Sequence, residues 1–259
     1  MDESLQYSVG DGAWTKLTAG TKIAFGGQGK DLRLRGQSST GTTVDPYQNF
    51  STISFENEEV PVACTGDIRT LVDYLNYSNA STVDARFCNL FSECIQLTSA
   101  PELPATTLAE SCYSSMFKGC TSLTTAPALP AETLAESCYH SMFLNCEVLT
   151  QAPALPAMAL AVDCYENMFF GCTNLTTAPE LPAKTLAAGC YYGMFRVCKN
   201  LKNVTMLATD ISAESCLSYW LYEVAKEGTF TKAAEMTSLP SGNGDASIPS
   251  GWIVQNYTE

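Results

Sequence analysis

Residues Cys112–Ser137 read CYSSMFKGCTSLTTAPALPAETLAES, and at Cys138–Tyr139 the phrase starts again. Outward from this stretch the period holds at 26 residues. Cys112, Cys138, Cys164, Cys190 and Cys216 form one column, and Cys94, Cys120, Cys146, Cys172 and Cys198 a second. Phe91, Phe117, Phe143, Phe169 and Phe195 form a third. Leucine columns run through Leu97, Leu123, Leu149, Leu175 and Leu201, and through Leu103, Leu129, Leu155, Leu181 and Leu207. A fixed period of this size marks a repeat architecture, in which each unit buries its apolar face only against its neighbours.

Within one unit, Leu108, Cys112, Met116 and Cys120 recur every four residues, with Ala109, Tyr113 and Phe117 beside them. That spacing predicts the inner face of a helix of about three turns. Thr107 with Glu110, and Thr133 with Glu136, have capping-box spacing at its start. Gly119 and Gly171 stand where it would end. The following LTTAPALPA excludes a helix through its prolines and predicts a short extended piece. Each repeat is thus expected to be strand, turn and helix, giving an α/β solenoid.

The pattern CYxxMFxGCTxLTTAPxLPAxTLA resembles the BspA-type leucine-rich repeats of bacterial cell-surface proteins, common in Bacteroidetes. It covers residues 86–216, five units. The resemblance implies a curved right-handed solenoid, exposure at the cell surface, and adhesion through protein binding. It carries no catalytic residue, because the shared motif is a packing motif.

Ten of the twelve cysteines lie in the two columns, on the apolar side. Free thiols packed in the core are one reading, since unbridged cysteine behaves as a small buried hydrophobe. Bridges between column neighbours are the other, which an oxidising compartment would permit. On a helix, Cys112 and Cys120 would stand about 12 Å apart along the axis, beyond disulfide reach. The eight-residue gap matches no zinc spacing, and His140 is the only histidine. No metal or cofactor is implied.

The ends differ from the middle. In residues 1–62, LQYSV, AWTKL, TKIAF, DLRLRG and STISFE alternate apolar and polar residues between turns, predicting a small antiparallel β module docked on the repeats. Residues 63–85 are expected to hold a linker helix with Ile68, Leu71, Val72 and Leu75 on one side. Residues 217–259 read as a C-terminal cap, with strands in GTFTKAAEM and GWIVQNY around a loop, SGNGDASIPSG, and Trp252 covering the core.

A formal net charge of −13 disfavours nucleic acid and anionic membranes as partners. No apolar run reaches the ~18 residues that a membrane-spanning helix needs. The opening MDESLQYSVGDG lacks the basic and hydrophobic segments of a secretory signal, which is either removed or never present. GGQGKD at 26–31 fails as a phosphate loop, because Asp31 follows Lys30. His140 shares a variable column with Cys88, Ser114, Glu166 and Tyr192, and the repeat sets no nucleophile beside it. Cys64 and Cys88, outside the two columns, read as core or interface thiols, and Asn243–Asp245 as an ordinary turn. The candidate binding residues are Ser99, Thr125, Gln151, Thr177 and Asn203 in one column, and Glu102 and Glu180 in another with Ala128, Ala154 and Met206. Alternation with the inward leucines places them on an exposed sheet face. The expectation is a non-enzymatic binding protein, extracellular or at the cell surface, attaching to a host or microbial protein or glycan. A structural fibre or virion component and a glycan-binding module are the alternatives.

Overall fold

A computed structural model describes residues 5–46, 48–237 and 246–258. It corrects the expected α/β strand-turn-helix solenoid. Among the described residues there is no α-helix, and the helical content is two single 3-10 turns, Ile68–Leu71 and Tyr77–Asn79. The strands are short and form four small sheets rather than one continuous one. The leucine-rich-repeat architecture implied by the motif is therefore not the one this chain adopts.

The backbone shows why. Ser111, Ser115 and Gly119 all have positive φ, at 55°, 54° and 70°. Ser137, Ser141 and Asn145 repeat this, as do Asp163, Asn167 and Gly171. A left-handed residue at every fourth position is incompatible with a right-handed helix. Each segment is instead a run of overlapping four-residue turns. The N–H groups of Cys112, Ser114, Met116, Lys118 and Cys120 donate to the carbonyls of Ala109, Ser111, Tyr113, Ser115 and Phe117. The alternate N–H groups, from Ser111, Tyr113, Ser115, Phe117 and Gly119, donate to Glu136, Cys138, His140, Met142 and Leu144 of the next repeat. All ten donors are satisfied, half locally and half by the neighbour, so neighbouring repeats hold each other in register. Thr107 and Thr133, expected as caps, lie in parallel bridges, Thr107 to Thr133 and Thr133 to Ala159. Gly119 and Gly171 are left-handed turn residues and end no helix.

A four-residue turn returns every fourth side chain to the same side. Cys112, Met116 and Cys120 are therefore all fully buried, as are Tyr113 and Phe117. The phenylalanine column stacks: Phe117–Phe143 and Phe143–Phe169 centroids are 5.7 and 5.6 Å apart. Tyr113, Tyr139, Tyr165 and Tyr191 stack likewise at 5.7–6.0 Å. These separations lie in the favourable offset range for aromatic pairs.

All twelve cysteines are free. The thiols of Cys120, Cys146, Cys172 and Cys198 donate to the carbonyls of Phe91, Phe117, Phe143 and Phe169 at 3.0–3.1 Å. In the other column the contacts vary, from 3.3 Å between the Cys216 thiol and the Ile211 carbonyl to 4.0 Å between Cys138 and the Cys164 carbonyl. Burial pushes the thiols up, Cys138 and Cys190 to about 12. Cys146 and Cys138 should therefore respond differently to serine. Cys146→Ser inherits a carbonyl partner, whereas Cys138→Ser leaves a buried hydroxyl poorly paired, at a cost of about 1–3 kcal/mol. Denaturant titration is expected to find Cys138→Ser the less stable variant.

At the N-terminal end, β1 (Gln6–Val9) lies between β2 (Thr15–Lys16) and β3 (Leu32–Arg35) in an antiparallel sheet. TKIAF at 21–25 forms no strand. The Arg35 guanidinium lies 4.0 Å from the Trp14 ring centre and 4.1 Å from that of Tyr74, tying this sheet to the chain that follows. β4 (Thr43–Asp45) and β5 (Asn49–Phe50) form an antiparallel pair. β6 (Val62–Ala63) pairs in parallel with β7 (Leu97–Ser99). Gly41 bridges Arg86, Ile53 N–H donates to the Leu90 carbonyl, and Asp67 bridges Glu102, so residues 41–67 run along the first repeat. The linker helix expected there is one 3-10 turn, started by the Asp67 carboxylate accepting from Arg69 N–H, and Leu75 stays exposed.

At the other end, β8 (Asn203–Met206), β9 (Gly228–Lys232) and β10 (Trp252–Asn256) form a parallel sheet. Trp252 is buried and donates to the Ala225 carbonyl at 2.7 Å, and Trp220 is fully buried edge-on to Phe230. The register slips here. Met206, not Leu207, bridges Leu181 and enters the core. Thr185 bridges Asp210, and the frame is restored by Cys216, whose carbonyl accepts from Tyr191 N–H. Ser212 is the compensating extra residue, held by its hydroxyl and N–H on the Asp210 carboxylate. Met206 is thus not a column mate of Glu180. Asn243–Asp245 lies outside the described residues.

Candidate functional site

The extended pieces of successive repeats carry the candidate face. Their prolines fix φ and offer no N–H, so these segments depend on flanking residues for pairing. Ser99 bridges Thr125, and Thr177 bridges Asn203. Thr125, Gln151, Thr177 and Asn203 are exposed, as are Glu102 and Glu180, while Leu129, Leu155 and Leu181 are buried. Ser99 is half-buried, and its hydroxyl donates to the Cys64 carbonyl at 3.0 Å, so it serves the contact with the N-terminal segment.

Two shallow hollows adjoin on this face. One, of about 490 Å³, is lined by Ala152, Ala154, Leu155, Pro156, Pro179, Glu180 and Pro182. The other, of about 360 Å³, adds Ala126, Pro127, Ala128, Leu129, Pro130 and Pro153, and shares Ala154 and Pro156 with the first. The lining is apolar and stiff, with one carboxylate and no aromatic ring. It suits shape-based contact. Of the candidate residues, the hollows bring in Glu180 and none of the threonine column.

His140 and Glu166 face each other across two repeats, Nε2 to Oε1 3.8 Å. Burial lowers the histidine pKa, partly opposed by Asp163. Burial and then Asp163 raise the Glu166 pKa. Both shifts favour the neutral forms, which weakens the pair as an ion pair. A raised carboxyl pKa means that the fold favours protonated Glu166, so its ionisation near pH 7 destabilises. Glu166→Gln is therefore expected to raise Tm at pH 7–8, with the gain vanishing as pH falls to about 3, where the carboxyl is protonated in both states. A Tm gain that grows on acidification would contradict this.

Reading by columns missed a second group of side chains. Phe170, Arg196 and Tyr222 occupy one outward column, each 26 residues from the next, and Tyr192 and Tyr219 lie beside them. The Arg196 guanidinium carbon is 5.3, 5.5 and 5.4 Å from the ring centres of Phe170, Tyr219 and Tyr222. Tyr219 meets Tyr192 and Tyr222 edge-on at 5.8 and 6.0 Å. The available signal was the contrast along that column, where earlier repeats carry Ser92, Lys118 and Leu144. No group of metal-ligating side chains occurs among the described residues. No family model, curated protein or solved structure matches the chain.

Proposed function

We propose that the protein is a non-enzymatic binding protein that offers its alanine- and proline-lined face to a host or microbial partner at a cell surface. The observation that carries this reading is the pair of adjoining hollows with exposed small residues around them. Such a face is rigid before binding, which lowers the ordering cost of association. A polypeptide fits it better than a sugar does, because the lining supplies no ring for a sugar to stack on. The test is a glycan and surface-protein array, followed by Ala154→Arg with Glu180→Arg, both exposed and both lining the hollows. The double variant is expected to melt like the parent and to bind any ligand found at least about tenfold more weakly, a change of roughly 1.4 kcal/mol. Undiminished binding would move the site off this face.

A further inference from the structure

The aromatic group around Arg196 is not accounted for by packing of the repeat. The core already has its own aromatic columns, Tyr113 to Tyr191 and Phe91 to Phe195. Phe170, Tyr192, Tyr219 and Tyr222 are additional, confined to the last repeats, and Tyr222 is exposed.

Three features of this group need a reason. First, Arg196 Nε is buried without a hydrogen-bond partner. Among the described residues no carboxylate pairs with this guanidinium, in a chain with almost twice as many acidic as basic side chains. Buried unpaired polar groups are rare and mark unfilled roles. Second, Tyr219 has φ 57°. Its column mates are Ser115, Ser141, Asn167 and Gly193, residue types that accept this conformation more readily than a bulky ring does. Third, Val197, next to Arg196, has φ 63°, which is an outlier for a β-branched residue. Strain of this kind concentrates at ligand sites.

We propose that Arg196 and the surrounding rings form a binding site for an acidic sugar residue, a hexose bearing one carboxylate. The guanidinium fork matches a carboxylate, which would meet its terminal nitrogens while the buried Nε stays beneath the rings. The exposed Tyr222 ring gives an apolar plane for the C–H face of the sugar ring. A simple anion would use only the arginine and leave the exposed Tyr222 ring uncovered. None of these residues lines the alanine–proline hollows, so the proposal stands apart from the function proposed above.

The test uses methyl β-glucuronide as probe in ligand-observed NMR on the full chain, with methyl β-glucoside, acetate and a dipeptide ending in a free carboxylate as comparators. The glucuronide is expected to bind at least about tenfold tighter than each comparator. Arg196→Gln and Tyr222→Ala are each expected to weaken it at least about tenfold, and Arg196→Lys by less, since charge remains but the fork is lost. Tyr222→Ala alters an exposed ring and should fold, so it decides the matter if the arginine variants do not. Gln151→Arg should leave glucuronide binding unchanged. Equal binding of the glucoside, of acetate or of the dipeptide would overturn the assignment, as would full affinity in Tyr222→Ala.

Discussion

Phe143→Ala is expected to destabilise the protein by about 3–5 kcal/mol, the range for removing a fully buried aromatic ring from a packed core. Phe143 has no solvent exposure and stacks on Phe117 and Phe169, so truncation opens a gap in the middle of a continuous column. Collapse around the gap is restricted, because the backbone on both sides is fixed by bonds between repeats: Phe117 N–H to the Met142 carbonyl and Phe143 N–H to the Met168 carbonyl. Chemical denaturation of Phe143→Leu alongside it separates ring stacking from volume, and the leucine variant should recover part of the loss. A loss below about 1 kcal/mol for the alanine variant would mean that the column is not a cooperative part of the core.

Ser141→Pro and Ser141→Gly are expected to move stability in opposite directions. Ser141 has φ 54°, and its N–H donates to the Glu166 carbonyl at 2.8 Å. Proline requires φ near −65° and has no N–H, so it should cost about 3 kcal/mol or more. Glycine adopts positive φ without strain, so Ser141→Gly should be neutral or stabilising by up to about 1 kcal/mol. A helical repeat would give the reverse for glycine, a loss of about 1 kcal/mol in mid-helix. The denaturant midpoint of the glycine variant therefore distinguishes the turn from the helix, since proline is costly in both.

The same residue marks where the sequence could be read and where it could not. The period, the inward columns and the strands around Phe230 and Trp252 follow from the spacing of apolar residues. The turns between Leu108 and Cys120 read as a helix because a spacing of four also fits 3.6 residues per turn over so short a run. The deciding positions lay off the apolar columns. Ser111, Ser115 and Gly119 recur every fourth residue, and serine and glycine are poor in helices but good where φ is positive. The register slip at Met206 was hidden because a deletion and an insertion cancel before Cys216. The group around Arg196 was hidden for another reason. Phe170, Arg196 and Tyr222 are distant in the chain and become neighbours only through the lateral bonding of repeats.

The thiol columns have a consequence for handling the protein. Eleven of the native thiols are sealed in the core and Cys64 is half-buried, its thiol pushed up to about 11, so oxidants and alkylating reagents find little thiolate. Unfolding returns all twelve to an ordinary pKa of about 8.5 in one chain, within reach of one another. Air then creates mismatched bridges that block the return path, because the native arrangement has no place for any of them. Heat inactivation should therefore reverse on cooling in the presence of a reductant and become permanent without one, while storage of the intact protein tolerates air.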